Sequence, residues 1–347
     1  MPGFESIIDQ VRPIRILTAF LQKGTIPHAL LFTGIEGVGK ERAAVTLAMA
    51  CNCTGNRARS DSEGVDIPVS GHSKASLPFT TEPCGSCRSC RKIESDNHPD
   101  IIRIKPAGPL IKIDQIRTLC QTIAMRPYEA GTRVVIISDA QAMNPAAGNA
   151  LLKVLEEPPD RTILILVAAH TSDLLPTIVS RCQHIRFNPI SRKNLESVLE
   201  REHGIDSGDA AIIAAMAGGS VSRALRMYRS NWIKRRHWLI SELESLSTNS
   251  VNRLLALGDQ LAKNKDDLPD TLEIFKSWYR DLVIAKLNPD RVLKHDLASN
   301  LQQTSQNMSL TSLLLNYEII QSTQKALRTG TNIRMAMESM VLKLSRI

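Results

Sequence analysis

The pattern of apolar and polar positions divides the chain into an α/β first half and a helical second half. Four short apolar runs are typical of parallel strands covered on both faces, and these are Ala29–Phe32, Ile101–Ile104, Val134–Ile137 and Ile163–Val167. Apolar residues at three- and four-residue spacing predict helices over Ile7–Leu21, Arg42–Ala50, Ile113–Ala124 and Ala146–Glu156. Pro158 and Pro159 stop the last of these helices. The alternation predicts a doubly wound core that ends near Phe187.

The strand pattern ends after Pro189. Residues 190–230 have the pattern of a small helical domain, in which Gly218-Gly219-Ser220 forms a turn before a helix over Val221–Tyr228. From Trp232 onward the period is helical, with interruptions at Lys265–Pro269, Asn288–Pro289 and Gly330. We therefore predict three domains: an α/β core over residues 1–187, a helical domain over 188–231 and an all-α domain over 232–347.

Composition and charge narrow the class of protein further. The net charge of +8, from 43 Lys plus Arg against 35 Asp plus Glu in 347 residues, permits contact with nucleic acid, but the basic residues are spread along the chain. The start of the chain lacks the basic and apolar regions of a signal peptide. The longest apolar run, Ile163–Ala169, is too short to span a bilayer. We expect a cytoplasmic protein.

A cysteine-bearing insert occupies roughly residues 51–92. Its middle, Thr54–Pro83, is rich in Ser, Gly, Pro and charged residues and has little to bury, so we predict a mobile loop. Four of the seven cysteines are closely spaced, and in a reducing compartment this favours metal ligands over disulfides. Three thiolates come from the CxxCxxC segment, at Cys84, Cys87 and Cys90.

Tetrahedral zinc needs a fourth ligand, which must come from upstream. The candidates, in order of preference, are Cys53, Cys51 and His72. An iron–sulfur cluster is the alternative, but that spacing expects a further Cys-Pro just downstream, where the chain has Glu94. Cys120 and Cys182 are too distant in sequence to be counted. A zinc ion with four thiolate ligands has no open position, so its predicted role is structural.

Gly34-Ile35-Glu36-Gly37-Val38-Gly39-Lys40 fits the phosphate-binding P-loop pattern between a strand and a helix. Its glycines let backbone N–H groups close on phosphate oxygens, and Lys40 adds a cation at the helix N-terminus. The next position should carry a hydroxyl that ligates Mg²⁺, but Glu41 places a carboxylate there. The loop is therefore predicted to be degenerate, with weak or absent nucleotide binding.

A second nucleotide motif is altered in the same way. A P-loop ATPase needs an acid at the end of a neighbouring strand to hold Mg²⁺ and an acid that polarises the attacking water. After Val134–Ile137 the chain has Ser138 at the metal-binding place, and only Asp139 follows. Because Glu41 and Ser138 both lack the required chemistry, we expect no independent ATPase activity.

With these motifs in place, the chain resembles the AAA+ clamp-loader ATPases of bacterial DNA polymerase III, and within them a branch that does not hydrolyse ATP. The resemblance covers essentially the whole chain and is carried, in order, by Phe4–Ile8 with Gln10, His28–Gly34, the cysteine insert, His98–Asp100, Asn149–Pro159, Ser180-Arg181-Cys182, Trp278–Leu282 and Asn332–Glu338. It implies an AAA+ P-loop core with a parallel sheet and a zinc-binding insert, a helical lid and a helical collar that oligomerises. It also matches Cys53 to the family's first zinc ligand.

The resemblance implies a role for Arg181 that composition could not. In the family, the arginine of Ser-Arg-Cys is an arginine finger that reaches ATP on a neighbouring motor subunit, where a guanidinium stabilises the transition state. Without the family, Arg181 would be an ordinary surface arginine. A nucleotide-sensing arginine of the second domain is displaced, because Arg223 stands one residue late, about 100° around a helix.

The implied partners are the motor (gamma or tau) and delta subunits, with a sliding clamp and primed DNA contacted through the assembly. Two alternatives remain. One is a motor-type subunit that hydrolyses ATP itself, against which Glu41 and Ser138 argue. The other is a free-standing zinc protein that binds DNA through Arg88, Arg91 and Lys92, although three basic residues beside a zinc site are more often a solvated surface.

Overall fold

The computed structural model describes residues 3–55, 80–246, 250–288 and 298–345. The chain divides into two compact units, Met1–Leu225 and Arg226–Ile347. The finer borders at residues 187 and 231 stay predictions. His72 and most of the predicted Thr54–Pro83 loop lie outside the described residues.

The first unit is built on a sheet of five parallel strands in the order β2-β3-β4-β1-β5. The strands are β1 (Ala29–Thr33), β2 (Ile101–Ile104), β3 (Arg133–Ile137), β4 (Thr162–Ala168) and β5 (Gln183–Arg186). The four predicted strands are all present, and the predicted fold class, an α/β core with a parallel sheet followed by helices, is confirmed. The fifth strand is additional and lies at the edge beside β1.

The helices up to residue 229 are α1 (Val11–Lys23), α2 (Lys40–Asn52), α3 (Arg88–Glu94), α4 (Ile113–Ala124), α5 (Pro145–Glu156), α6 (Pro176–Val179), α7 (Arg192–His203), α8 (Ser207–Met216) and α9 (Val221–Arg229). Both faces of the sheet are covered. On one face Leu30 and Phe32 pack with Leu47 of α2, and on the other Leu31 packs with Leu151 of α5. Side chains of a strand alternate between faces, so the continuous apolar runs reflect burial on both sides.

The predicted helix over Ile7–Leu21 is wrong at its start. Residues Phe4–Ser6 form one short 3-10 turn, and α1 begins only at Val11. Asp9 has φ 60°, the left-handed region, which interrupts a right-handed helix. Its carboxylate accepts hydrogen bonds from the Ser191 N–H at 2.7 Å and from the side chain of Asn194. A contact with residues more than 180 positions away thus overrides the local period.

The second unit is helical throughout its described part. Its helices are α10 (Trp232–Glu244), α11 (Val251–Lys263), α12 (Leu268–Leu287), α13 (Ala298–Asn307), α14 (Leu310–Arg328) and α15 (Ile333–Leu344). The three predicted interruptions coincide with helix ends, because α12 begins at Leu268 and ends at Leu287, and α14 ends at Arg328. Across the described ranges, no helix combines the length and the apolar character that a bilayer crossing requires.

Candidate functional site

The P-loop lies at a cleft of about 810 Å³ in the first unit. The cleft opens where β1, β3 and β4 end, because the carboxyl ends of parallel strands meet at one edge of a sheet. Gly37, Gly39 and Lys40 line it together with Asp139. Gly37 and Gly39 have φ of 78° and 95°, which favour glycine, and Gly39 precedes the first residue of α2. The sequence motif therefore has the strand, turn and helix start that a P-loop requires.

Lys40 is engaged by its own loop. It is buried, and its ammonium donates hydrogen bonds to the carbonyl oxygen of Gly34 and, at 2.7 Å, to that of Ile35. Burial lowers the pKa of Lys40, and the nearby carboxylate of Asp139 opposes the shift. A bound phosphate would have to replace both carbonyl contacts.

The two positions that hold Mg²⁺ in a P-loop ATPase carry Glu41 and Ser138 in this chain. Glu41 is an exposed residue in the first turn of α2. Ser138 is only 3% exposed and does not line the cleft, whereas Asp139 does line it. Gln141 donates a hydrogen bond to the Asp139 carboxylate at 3.2 Å. One carboxylate therefore faces the cleft from the end of β3.

The end of β4 contributes two alanines to the cleft, which the sequence analysis did not predict. β4 lies between β1 and β3, so its last residues stand between the P-loop and Asp139. The carbonyl of Ala169 accepts a hydrogen bond from the Gly34 N–H at 3.1 Å, and Ala168 and Ala169 line the cleft. The methyl groups of Ala168 and Ala169 offer this part of the cleft no side-chain hydrogen-bonding group. The signal was present in the sequence as Val167-Ala168-Ala169, an apolar continuation of the strand.

The start of α9 closes against the P-loop. The N–H of Val221 donates to the carbonyl of Gly37 at 3.1 Å. A Cβ on Gly37 would lie 2.6 Å from the Ser222 nitrogen and 2.7 Å from Ser220 Oγ, so only glycine fits this contact. Arg223 is exposed and is not among the described residues that line the cleft.

The cysteine insert forms a candidate metal centre. The sulfur atoms of Cys53, Cys84, Cys87 and Cys90 all lie within 4.8 Å of one another. Ligands of a tetrahedral zinc ion with Zn–S bonds of about 2.3 Å are about 3.8 Å apart, so the four thiols fit such an ion. Cys51 lies at the same end of α2, but its sulfur is not a member of the cluster. The predicted gathering of four cysteines is confirmed.

Backbone donors surround these sulfur atoms as they do in thiolate–metal sites. The N–H groups of Cys84, Cys87 and Cys90 point at the sulfur atoms of Cys53, Cys84 and Cys87, at 3.4, 3.3 and 3.4 Å. Burial opposes the thiolate of Cys87, but the Cys90 N–H and donors of Thr54 lower its pKa to about 5. Burial raises the pKa of Cys90. A divalent cation would neutralise the thiolates and remove this conflict.

Arg181 lies away from the cleft residues, just after α6. Its side chain is 37% exposed, and its Nη2 lies 2.8 Å from Oε1 of Glu156. Nη1 donates to the carbonyl of Thr177 at 3.1 Å and to Ser180 Oγ at 3.4 Å. The ion pair joins two of the stretches that carry the family resemblance, Asn149–Pro159 and Ser180-Arg181-Cys182, and sequence spacing gave no sign of it.

Comparisons with known proteins find two matching family profiles and several similar proteins. Two family profiles match the chain: one described as DNA polymerase III, delta subunit, over residues 72–191, and one described as DNA polymerase III, delta subunit, C terminal, over residues 230–346. A solved structure of a DNA polymerase III gamma subunit-related protein from Thermotoga maritima is 16% identical, covers 97% of this chain and 99% of that chain, and has a TM-score of 0.43.

Curated relatives extend over nearly the whole chain. The DNA polymerase III subunit delta' of Bacillus subtilis is 30% identical over 340 residues, which are 96% of each chain. The subunit delta' of Pseudomonas aeruginosa is 28% identical over 78% of this chain and 74% of that protein. The subunit tau of Bacillus subtilis is 26% identical over 98% of this chain and 61% of that protein. The chain therefore belongs to the family of DNA polymerase III delta and delta' subunits.

Proposed function

We propose that this protein is the stationary, non-hydrolysing subunit of a bacterial clamp loader. It presents Arg181 to ATP bound on an adjoining gamma or tau motor subunit. The observation that carries the proposal is the combination of a P-loop cleft whose two magnesium-binding positions carry Glu41 and Ser138 and an exposed arginine that pairs with Glu156. A guanidinium in that role stabilises charge on the transferred phosphoryl group.

The proposed assembly is a hetero-oligomer of this chain with the motor and delta subunits. The helical second unit supplies the collar that holds the subunits together, and the sliding clamp and primed DNA are engaged through the whole assembly. The cytoplasm, where bacterial DNA is replicated, is the proposed location. The four-cysteine cluster holds a structural zinc ion in this proposal, because four sulfur ligands leave no open coordination position.

The motor-type alternative is disfavoured by two positions. Glu41 and Ser138 stand where the magnesium-binding groups of a P-loop ATPase belong. The DNA-binding alternative is weakened by existing contacts of its basic residues. Lys92 pairs with Glu129 at 2.6 Å, and Arg91 Nε donates to the Ser86 carbonyl at 2.7 Å.

We expect the purified full chain to hydrolyse ATP no faster than its Lys40→Ala variant, with or without primed DNA. Glu41 and Ser138 stand at the two positions that hold Mg²⁺ in a P-loop ATPase, so we expect no turnover for the loss of the P-loop lysine to abolish. The measurement is phosphate release at saturating Mg²⁺-ATP. Turnover that Lys40→Ala removes would favour the motor-type alternative.

Assembly provides the second half of the same test. The chain mixed with gamma or tau and delta subunits should elute with them as one complex, and the complex should hydrolyse ATP when primed DNA and clamp are added. A chain that stays separate from these subunits would contradict the proposed function, whatever its own ATPase activity.

A further inference from the structure

Two segments that are far apart in the sequence meet at Arg181. Glu156 is the last residue of α5, and Arg181 follows the short helix α6. Their charged groups are 2.8 Å apart, with 52% of the Glu156 side chain and 37% of the Arg181 side chain exposed. Oppositely charged groups at a solvated surface gain little stability from pairing. The pair therefore calls for an explanation other than stability.

The backbone of Arg181 is held by the turn that ends α6 and by the packing of α6 on α5. Its N–H donates to the carbonyl of Ile178 at 3.1 Å, which ends α6 in a tight turn. Leu175 and Ile178 pack on Gly148 of α5, where an added Cβ would lie 2.9 Å from Leu175 Cδ1. The next residue, Cys182, packs against the core, and burial raises the pKa of its thiol to about 11. The position of the Arg181 Cα is thus set by α5.

The tip of Arg181 is fixed by the same helix. Glu156 stands in the last turn of α5, where Pro158 ends the helix and the Glu157 N–H bonds to the Lys153 carbonyl at 3.0 Å. The C-terminus of a helix also favours a nearby cation. The backbone and the guanidinium of Arg181 are therefore both positioned by α5.

These contacts restrict the orientation of the Arg181 guanidinium but leave some of its N–H donors available. A guanidinium has five N–H donors. Nη1 donates hydrogen bonds to Thr177 and Ser180, and Nη2 forms the ion pair with Glu156. Nε makes no hydrogen bond with the described residues and remains for a phosphate, on a side chain that is more than a third exposed. A free arginine loses rotamer entropy when it is immobilised, and pre-orientation reduces that loss.

We infer that Glu156 is a positioning residue for Arg181: it holds the guanidinium in the conformer that reaches a phosphate on the adjoining subunit. The inference rests on the proposed function of Arg181 and adds a residue to it. Glu156 acts on the orientation of the finger, so it affects the rate of phosphoryl transfer. It does not affect ATP affinity, which the P-loop of the motor subunit sets.

The test uses clamp loader reconstituted with full-length variants, assayed for DNA- and clamp-stimulated ATPase. We expect Glu156→Ala to lower kcat at the adjoining ATP site about fivefold with KM for ATP unchanged, and Glu156→Gln to fall between Glu156→Ala and the unmodified protein. Glu157→Ala is the matched control, because Glu157 is an adjacent, exposed carboxylate without a described ion pair. It should keep kcat within about twofold of the unmodified protein.

A double variant separates positioning from a general structural effect. In Arg181→Ala, the added Glu156→Ala change should have no further effect on kcat, because the group it orients is gone. An additive loss, an unchanged kcat in the single variant, or a raised kcat that marks Glu156 as a restraint would each overturn the inference. If Arg181→Ala itself leaves kcat unchanged, the proposed function fails; if only Glu156→Ala does, the inference alone fails.

Discussion

Replacing Arg181 with alanine should leave the clamp loader assembled and slow ATP hydrolysis at the adjoining site on the order of a thousandfold, which is the lower end of what an arginine finger contributes. The Arg181 side chain is partly exposed and makes contacts only at the surface of the first unit, so the fold should survive. Single-turnover phosphate release from the complex on primed DNA measures the effect. The steady-state rate of the assembly should fall at least by the share of that one site.

Two further variants define the cause of this loss. Arg181→Lys keeps the charge but lacks the planar fork, so it should restore only a small part of the rate. Arg117→Ala removes an exposed arginine of α4, with a side chain 66% exposed, and should stay within about twofold of the unmodified rate. Unchanged hydrolysis in an Arg181→Ala complex of normal size would contradict the finger role.

Local pattern was sufficient for most of the core because the same residues determine both local structure and burial. Val134–Ile137 and Ile163–Val167 are apolar at every position, and each is buried on both faces of the sheet. β5 was not predicted, because its residues are mostly exposed and carry no apolar pattern. In Gln183–Arg186 only Ile185 is buried, so an edge strand has one apolar residue and no recognisable period. Its position depends on pairing with β1, which is a non-local contact.

In the candidate site too, local motifs were predicted from the sequence and contacts between distant segments were not. The P-loop and the CxxCxxC segment are contiguous in sequence, and their geometry follows from spacing. The pairing of Arg181 with Glu156 and the closure of Val221 on Gly37 join segments separated by 25 and 184 residues. Residue spacing cannot encode such contacts, because they arise only when helices pack. The interrupted helix at Asp9 has the same origin.

The four-cysteine cluster joins the end of the P-loop helix α2 to α3. Cys53 caps the end of α2, and Cys90 in α3 is fully buried in the same core cluster as Leu47. Outside the cluster, Lys92 of α3 pairs with Glu129 at 2.6 Å, which is a surface contact of small energetic value. An ion at the four sulfurs would add to the buried packing of Cys90 and Ile93 in holding α3 on α2.

Replacing Cys84 with serine should reduce bound zinc from one ion per chain to well below one and destabilise the first unit by about 4 kcal/mol, because loss of a metal site is among the largest single-residue effects. At roughly 2–4 °C per kcal/mol for a domain of this size, the unfolding midpoint should fall by about 10 °C. Metal analysis of the purified chain and thermal unfolding measure the two effects. Hydrogen exchange should rise most in α3, which loses its anchor.

Cys51→Ala is the control that tests the ligand assignment. Cys51 is a fully buried thiol two residues from Cys53, yet its sulfur lies outside the four-sulfur cluster. The variant loses core packing but keeps every proposed ligand, so it should retain one zinc ion per chain, whereas Cys53→Ala should not. Retention of zinc by Cys53→Ala with loss in Cys51→Ala would reverse the assignment, and iron in place of zinc would contradict the choice of metal. In the proposed function zinc links two helices, and its removal should loosen α3 while the five-stranded sheet stays folded.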